Sequence, residues 1–314
     1  MNEQQSRRAM LAAGALAGIA AAPGTLNAAA GDRRAEPNSA ATAPDGTMAK
    51  HTVRPGVTIA CEDNWFGPPW EDGEPIVLLH GVAESHVSWQ QWVPVLSPRF
   101  RVFRPDLPGF GQSPLPASYD CAPLTIATDL VRLLDVLKVD RFHLVGAKYG
   151  GTVALQLAAA FPSRVRTLCV FGTPVKGAAG GTADLTTFAA RIRKEGVRGW
   201  AASTQPSRLG HDAPPEMLAW WTDGLMAKSD PKACIAYTGA AGGLNIEAEL
   251  GKIVAPTLVV TTVGSPLQPV AVARAYQEKI SKSELVVLPG DSYHVAAVKP
   301  QECADHVLRF IAKR

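Results

Sequence analysis

A lysine, Lys148, stands at the centre of a glycine-rich turn between a predicted strand and a predicted helix. The apolar run "FHLV" favours a strand, and the glycines of "GAKYGG" surround the lysine before helix-like spacing begins. The N-terminus of a helix disfavours a positive charge, and so does burial, so both lower the pKa of an amine placed there. Because a neutral lysine amine attacks carbonyl carbon, the turn predicts a chemically reactive lysine.

A histidine near the C-terminus, His294, is the second residue with suitable chemistry. It follows the last predicted strand in "GDSYH", where it is either a proton-transfer group or an ordinary loop histidine. Glu84 lies in the loop after "PIVLLHG". An exposed loop carboxylate is its simpler interpretation, and an ion pair with Lys148 is the alternative; Lys148 could also pair with His294. Asp291 is near His294 in sequence, but their spacing in a turn does not ensure that the side chains meet.

The chemistry of the leaving group separates the reactions open to Lys148. Attack on an ester would give a stable amide and stop the enzyme after one turnover, so a serine-esterase cycle is not expected. Attack on a ketone or aldehyde gives an imine, which permits retro-aldol cleavage, decarboxylation of a β-keto acid, dehydration or isomerisation, with His294 moving protons. A lysine that keeps its charge could instead orient a substrate carboxylate or enolate while His294 activates water. The residues alone leave both alternatives open.

The composition is that of an ordinary globular chain. Its 314 residues are 46% hydrophobic and 19% charged, with a formal net charge of +3, as expected of one domain. No block of Lys and Arg alternates with aromatic residues, so nucleic-acid binding is not predicted. The five cysteines have no Cys-x-x-Cys spacing and there is no zinc signature. Neither a metal nor a cofactor is therefore predicted.

The first fifty residues are predicted to lie outside the fold. Residues 1–30 carry paired arginines, a short Ala/Gly-rich apolar run and a small-residue cleavage pattern near Ala28, which is typical of a twin-arginine export signal. An uncleaved signal-like helix is the alternative, and the run is too short and alanine-rich for a membrane span. Residues 31–50 predict a linker. The hypothesis is a bacterial protein that is periplasmic or secreted, without stable membrane association.

From His51 onward, apolar strand runs alternate with amphipathic helices. Runs such as "PIVLLHG" and "TLVVTT" are short and continuously apolar, as in strands buried on both faces, and the alternation predicts a mostly parallel sheet with flanking helices. From about residue 174 to 250 helix-like segments follow one another. We interpret this stretch as a cap over the carboxyl ends of the strands, where open α/β sheets bind ligands. The predicted fold class is α/β with an inserted helical cap.

Three tryptophans of this cap stretch, Trp200, Trp220 and Trp221, are candidates for the wall of an apolar pocket. Aromatic residues in such helices more often serve packing than ligand binding. They therefore point only weakly to a hydrophobic or aromatic carbonyl substrate.

Four motifs in order resemble the capped α/β-hydrolases, a family that includes enol-lactonases, C–C bond hydrolases and epoxide hydrolases. They are "LLHGVAESHVSW", "FRPDLPGFGQS", "VGAKYGG" and a late "GDSYH", and the resemblance covers about residues 51–314. It implies an oxyanion hole formed by the backbone N–H groups of Val82 and Tyr149, and a catalytic base at His294. It also implies that Asp106 mainly holds loops together.

Two positions depart from that family's pattern. Lys148 stands where the Gly-x-Ser-x-Gly turn presents its nucleophile, and Ser265 precedes Pro266 where the family commonly places its acid. The other acid position, in "FGTPVKG", has no carboxylate either, so His294 lacks the expected partner for its tautomer. Two coordinated changes predict an enzyme with an altered site that acts on a small carbonyl compound. A non-catalytic binder of small molecules is the alternative.

Overall fold

The computed structural model describes residues 45–177 and 187–314. The predicted export signal and most of the predicted linker lie outside these residues, so both stay predictions. The end of the linker was placed too late, because the first strand, β1, spans Asp45–Arg54. It forms an antiparallel hairpin with β2, joined by a turn in which Gly56 has a φ of 76°. An edge strand needs no continuous apolar run, so the polar sequence of β1 did not indicate a strand.

The described residues form an eight-stranded sheet in the order β1-β2-β4-β3-β5-β6-β7-β8. The strands after β1 are Val57–Asn64 (β2), Glu74–Leu79 (β3), Phe100–Pro105 (β4), Phe142–Ala147 (β5), Val165–Phe171 (β6), Thr257–Thr262 (β7) and Ser283–Leu288 (β8). β1 and β4 each pair antiparallel with β2, whereas every pairing from β4 through β8 is parallel. The predicted fold class, a mostly parallel sheet with flanking helices, is confirmed.

Helices cover both faces of the sheet. They are Val93–Leu96 (α1), Pro123–Val136 (α2), Tyr149–Ala160 (α3), Phe188–Leu209 (α4), Pro215–Ala219 (α5), Pro231–Gly242 (α6), Val270–Gln277 (α7), Val295–Val298 (α8) and Pro300–Ile311 (α9). Strand β3 shows why both faces must be covered: Val77 and Leu79 pack in one apolar cluster with α2 and α3, and Ile76 and Leu78 pack in another with α1 and α9. Successive side chains of a strand point to opposite faces, so a continuously apolar strand needs two partners.

The helical insertion predicted between the sixth and seventh strands is present. Its described part contains α4, α5 and α6, and a π-helical turn at Trp220–Leu225. Helix α4 is broken at Gly196, which has a φ of 72° that glycine tolerates best. The second half of α4 therefore takes its own direction and carries Trp200 to the inside of the cap, where it is 1% exposed.

Asp106, at the end of β4, ties two loops together as expected. Its carboxylate is fully buried and accepts hydrogen bonds from the backbone N–H of His86 (2.7 Å), from His86 Nδ1 (2.9 Å) and from the backbone N–H of Gln112 (2.8 Å). Burial alone would raise the pKa of Asp106, but the hydrogen bond from His86 and the nearby imidazoles outweigh it, so the pKa is lowered.

We expect Asp106→Ala to lower the free energy of unfolding by about 3 kcal/mol, because it removes three hydrogen bonds to a fully buried, charged acceptor. Urea denaturation followed by circular dichroism measures this loss. The matched control is Asp135→Asn, which changes an exposed carboxylate paired with Arg164 and should cost less than about 1 kcal/mol. Equal losses in the two variants would contradict the structural role of Asp106.

Candidate active site

Lys148 occupies a strained turn between β5 and α3. Its φ of 56° and ψ of −126° are rarely adopted by a residue with a side chain. The turn is tight because helix α3 approaches the sheet closely: a Cβ on Gly150 would lie 2.3 Å from the carbonyl oxygens of Leu79 and His80, and a Cβ on Gly146 would lie 2.6 Å from the Gly150 oxygen. The glycines thus create the space in which the turn presents its central side chain.

Glu84 is buried, whereas its simpler interpretation was an exposed loop carboxylate. It is 1% exposed and accepts a hydrogen bond from Lys148 Nζ on one oxygen, while the backbone N–H of Gly81 donates to the other at 3.1 Å. An exposed loop carboxylate was therefore the wrong expectation, and the ion pair with Lys148 is present. The cause is local: Ala83 has a φ of 60°, which reverses the chain and turns the next side chain inwards.

His294 lies on the other side of the same carboxylate. Its Nε2 is 3.3 Å from Glu84 Oε2, an ion-pair distance, although neither ring nitrogen makes a hydrogen bond within the described residues. The backbone N–H of His294 donates to the Arg208 carbonyl at 2.7 Å, which fixes the main chain. The imidazole ring itself packs edge-on with Trp221 at a centroid distance of 4.9 Å. The two loops that usually carry the acid have no carboxylate here. Glu84, from the loop after β3, approaches the His294 imidazole instead.

Neither Asp291 nor Ser265, the possible supporting residue at the usual acid position, has a described hydrogen bond to His294. Asp291 binds the side chain and backbone N–H of His211, an exposed residue, and has no described bond to His294. Ser265 is buried, but its Oγ accepts from the backbone N–H of Gln268 at 3.2 Å. Its described hydrogen bonds thus stay within its own turn.

Burial and mutual attraction set the charges of the three site residues. Burial lowers the pKa of Lys148 to about 8, against the attraction of Glu84 and together with repulsion from Arg208. Burial would raise the pKa of Glu84, but Lys148 and His294 hold it well below its usual range. Burial also lowers the pKa of His294, opposed by Glu84. Near neutral pH these shifts favour a carboxylate on Glu84, an uncharged imidazole on His294 and a Lys148 ammonium that loses its proton more readily than that of an exposed lysine.

A small internal cavity of about 40 Å³ borders Lys148. Val82 and Tyr149, the two expected oxyanion-hole residues, line it from the sheet side, while Trp200 and Arg208 line it from α4. The phenol of Tyr149 donates instead to the Cys121 carbonyl at 2.8 Å. The structure thus brings both proposed N–H donors to the lysine's cavity, and their catalytic role stays a prediction.

The three tryptophans of the cap have different positions. Trp200 lines the inner cavity, and Trp221 contacts the His294 ring. Trp220 is 37% exposed and lies in an outer groove of about 820 Å³, which Trp221 also lines. Trp221 thus separates the outer groove from His294, and it does so on the π-helical turn, a structure frequent at functional sites.

Arg208 is the functional candidate that the sequence did not reveal. It is 4% exposed and lines the cavity beside Lys148, although arginines in amphipathic helices are usually exposed. One signal was available: Trp200, Thr204 and Arg208 are spaced by four residues, so they share one helix face. The face that carries the buried tryptophan therefore carries the arginine as well.

Two other kinds of site are absent from the described chain. Within residues 45–177 and 187–314, no three or more His, Cys, Asp and Glu side chains are grouped to hold a metal ion. In the same ranges no helix combines the length and apolar character needed to cross a membrane.

Comparisons with known proteins identify the family to which this fold belongs. The family model described as the alpha/beta hydrolase fold matches residues 74–299. A 2-hydroxy-6-oxo-2,4-heptadienoate hydrolase of Pseudomonas putida is 38% identical over 103 residues, which are 32% of this chain and 37% of that protein. RutD of Variovorax paradoxus, whose name proposes a carbamate hydrolase, is 29% identical over 248 residues, 77% of this chain and 93% of that protein.

Solved structures extend the likeness to the whole fold. The enol-lactonase from Burkholderia xenovorans LB400 superposes with a TM-score of 0.75 at 22% identity, over 85% of this chain and 100% of that one. A thermophilic esterase from Thermogutta terrifontis gives a TM-score of 0.74 at 23% identity, over 85% of this chain and 98% of that one. At such identities the likeness concerns the arrangement of strands and helices.

Proposed function

The chain belongs to the α/β-hydrolase fold family, and we propose that on this fold it is an enzyme for small carbonyl compounds that uses Lys148 as an imine-forming nucleophile. One observation carries the proposal: Glu84, fully buried, lies between the Lys148 amine and the His294 imidazole. A single carboxylate can therefore stabilise positive charge on the lysine nitrogen and lie within ion-pair distance of the histidine that moves protons. Desolvation and a neighbouring cation, here Arg208, favour the neutral, nucleophilic form of the lysine.

The proposed reaction begins from the neutral Lys148 amine, which forms by loss of the ammonium proton to solvent and which the lowered pKa makes accessible near neutral pH. The amine then attacks the carbonyl carbon, a C–N bond forms, and the electron pair of the C=O bond moves to oxygen, which the N–H groups of Val82 and Tyr149 stabilise. The attacking nitrogen then gives up one proton, the oxygen takes up two, one from that nitrogen by way of His294 and one from solvent, and water leaves. The product is an iminium whose positive charge faces the Glu84 carboxylate.

The iminium then serves as an electron sink. When the bond between the α and β carbons breaks, the iminium nitrogen takes up an electron pair and an enamine forms. His294 accepts the proton of the β-hydroxyl during this cleavage and then returns a proton to the α carbon. Water hydrolyses the resulting imine and frees Lys148. The reaction class is therefore carbon–carbon bond cleavage of a β-substituted ketone or aldehyde.

Borohydride reduction tests the imine directly. Ketones, aldehydes and keto acids are incubated with the protein, reduced with sodium borohydride, and the digested protein is analysed by mass spectrometry. We expect a secondary amine on the peptide that contains Lys148. A compound that is turned over but leaves no reduced adduct on that peptide would refute the imine.

The rate of imine formation should rise with pH up to about 8 and then level off. The neutral amine is the reactive form, and the pKa of Lys148 is lowered to about 8, so the reactive fraction grows about tenfold between pH 6 and 7. Single-turnover trapping at saturating carbonyl concentration measures this profile, with N-acetyl-lysine, whose amine has a pKa of about 10.4, as the reference. A rate that falls as the pH rises would indicate that the charged ammonium is the active form.

A second candidate is a non-catalytic binder that holds an anion with a charged Lys148. The presence of another cation, Arg208, in the same cavity favours it. This candidate predicts ligand binding without turnover, and it predicts that a permanently charged side chain at position 148 would serve as well as lysine.

A further inference from the structure

The Arg208 guanidinium is buried, and none of the described residues supplies it with a counter-charge. Its residue is 4% exposed, its Nε donates to Thr204 Oγ1 at 2.9 Å, and its Nη2 has no hydrogen-bond acceptor among the residues the structure describes. No carboxylate of those residues lies within 4.0 Å of it. A guanidinium has five N–H donors and keeps its charge in proteins, so an unused buried donor here calls for an acceptor.

The charges around the cavity leave a positive excess. Lys148 and Arg208 both line it, and Glu84 is already engaged by the Lys148 amine and the backbone N–H of Gly81. Among the described groups, the second cation therefore has no anion matched to it. An isolated buried charge is costly, whereas a paired and hydrogen-bonded one is tolerated.

Aromatic rings hold the guanidinium in place but do not satisfy its edge. The Cζ atom lies 4.6 Å from the centroid of the Trp200 ring and 5.9 Å from that of Phe188. Such contacts stabilise the face of the planar group. Its N–H groups lie in the plane, so the stacking does not supply them with hydrogen-bond acceptors, and the residue itself lines the cavity.

We propose that Arg208 binds the carboxylate of the substrate, which makes the substrate an anionic keto acid whose carbonyl carbon lies at Lys148. A guanidinium fork matches a planar carboxylate with two parallel hydrogen bonds. The cavity of about 40 Å³ has room for such a group beside the lysine. The carbonyl half of this assignment rests on the proposed imine chemistry, whereas the carboxylate site does not depend on it.

The test compares carboxylic acids with their neutral amides, which have the same shape. Acetate, butyrate and benzoate are titrated into the protein by calorimetry, alongside acetamide, butyramide and benzamide. We expect at least one acid to bind about tenfold more tightly than its amide, or better, as charge-assisted hydrogen bonds are among the strong ones. Equal binding of every acid and its amide by the wild-type protein would overturn the proposal.

Variants at position 208 locate the preference. Arg208→Met keeps a side chain that can pack on Trp200, and it should lose about tenfold in affinity for the acid while the amide changes less than about twofold. Arg208→Lys should keep part of the preference. The control, Arg198→Met, removes an exposed arginine of the same helix that pairs with Asp223, and it should change neither affinity. A preference that survives in Arg208→Met would overturn the assignment.

The two proposals fail in different ways. If acids bind preferentially through Arg208 but borohydride traps no adduct, the carboxylate site stands and the imine chemistry falls. If a keto acid and its neutral ketone analogue are trapped equally well by wild type and by Arg208→Met, the imine stands and the role of Arg208 falls.

Discussion

Replacing Lys148 with arginine is expected to lower kcat/KM for the carbonyl substrate by about 10³-fold or more, since removing a covalent nucleophile removes the reaction that it initiates. Arginine keeps a positive charge beside Glu84, but its guanidinium stays protonated and cannot form an imine. The comparison thus separates the two roles that remain open for Lys148, nucleophile and charge anchor. Steady-state kinetics and borohydride trapping measure the loss.

The control for this substitution is Lys252→Arg. Lys252 is an exposed lysine that pairs with Glu249 at 3.0 Å, and its replacement should leave both kcat/KM and trapping unchanged. The near-ultraviolet circular dichroism of Lys148→Arg establishes that the site is still folded. If the folded Lys148→Arg variant retained turnover, the positive charge and not the amine would be what the reaction needs.

Removing only one member of the buried Lys148–Glu84 pair is expected to cost far more stability than removing both. Lys148→Met leaves a fully buried carboxylate without its ammonium partner, which should lower the free energy of unfolding by about 3–5 kcal/mol. In the double variant with Glu84→Gln the unpaired charge is gone, and replacing a buried ion pair by neutral groups is often nearly neutral. Urea denaturation of the four proteins gives the coupling free energy.

The pH dependence gives this experiment a second, independent readout. In the wild type the folded-state pKa of Glu84 is held well below its usual range, so its contribution is present at neutral pH and is lost as the pH falls through that low value. In Lys148→Met, burial without the ammonium should raise that pKa. The variant should therefore regain stability as the pH falls from 7 towards 5. Strict additivity of the two single substitutions would refute the coupling.

The sequence predicts the fold because its parallel strands are buried on both faces. Runs such as "PIVLLHG" are continuously apolar for that reason, and Ile76 and Val77 do pack on opposite sides of β3. β1 was not predicted as a strand, because an edge strand exposed to solvent carries no such pattern. The positions of Lys148 and His294 followed from the order of the motifs, since each lies where a strand ends.

The partners of those two residues could not be predicted in the same way. The inward turn of Glu84 depends on the backbone angle of Ala83, a residue whose type does not favour a φ of 60°. The burial of Arg208 depends on how α4 leaves Gly196 and on which face of the helix then lines the cavity. Both are tertiary effects, and a local pattern does not encode them.

The burial of the site links access to Lys148 with the reactivity of its amine. The side chains of Lys148, Glu84 and His294 are 4%, 0% and 4% exposed, and Trp221 stands between His294 and the outer groove. The packing that shields the Lys148 amine from solvent is also what lowers its pKa to about 8. Nucleophilic reactivity and restricted access therefore have one structural cause, and a substitution that exposed the amine would return it to the protonated, unreactive form.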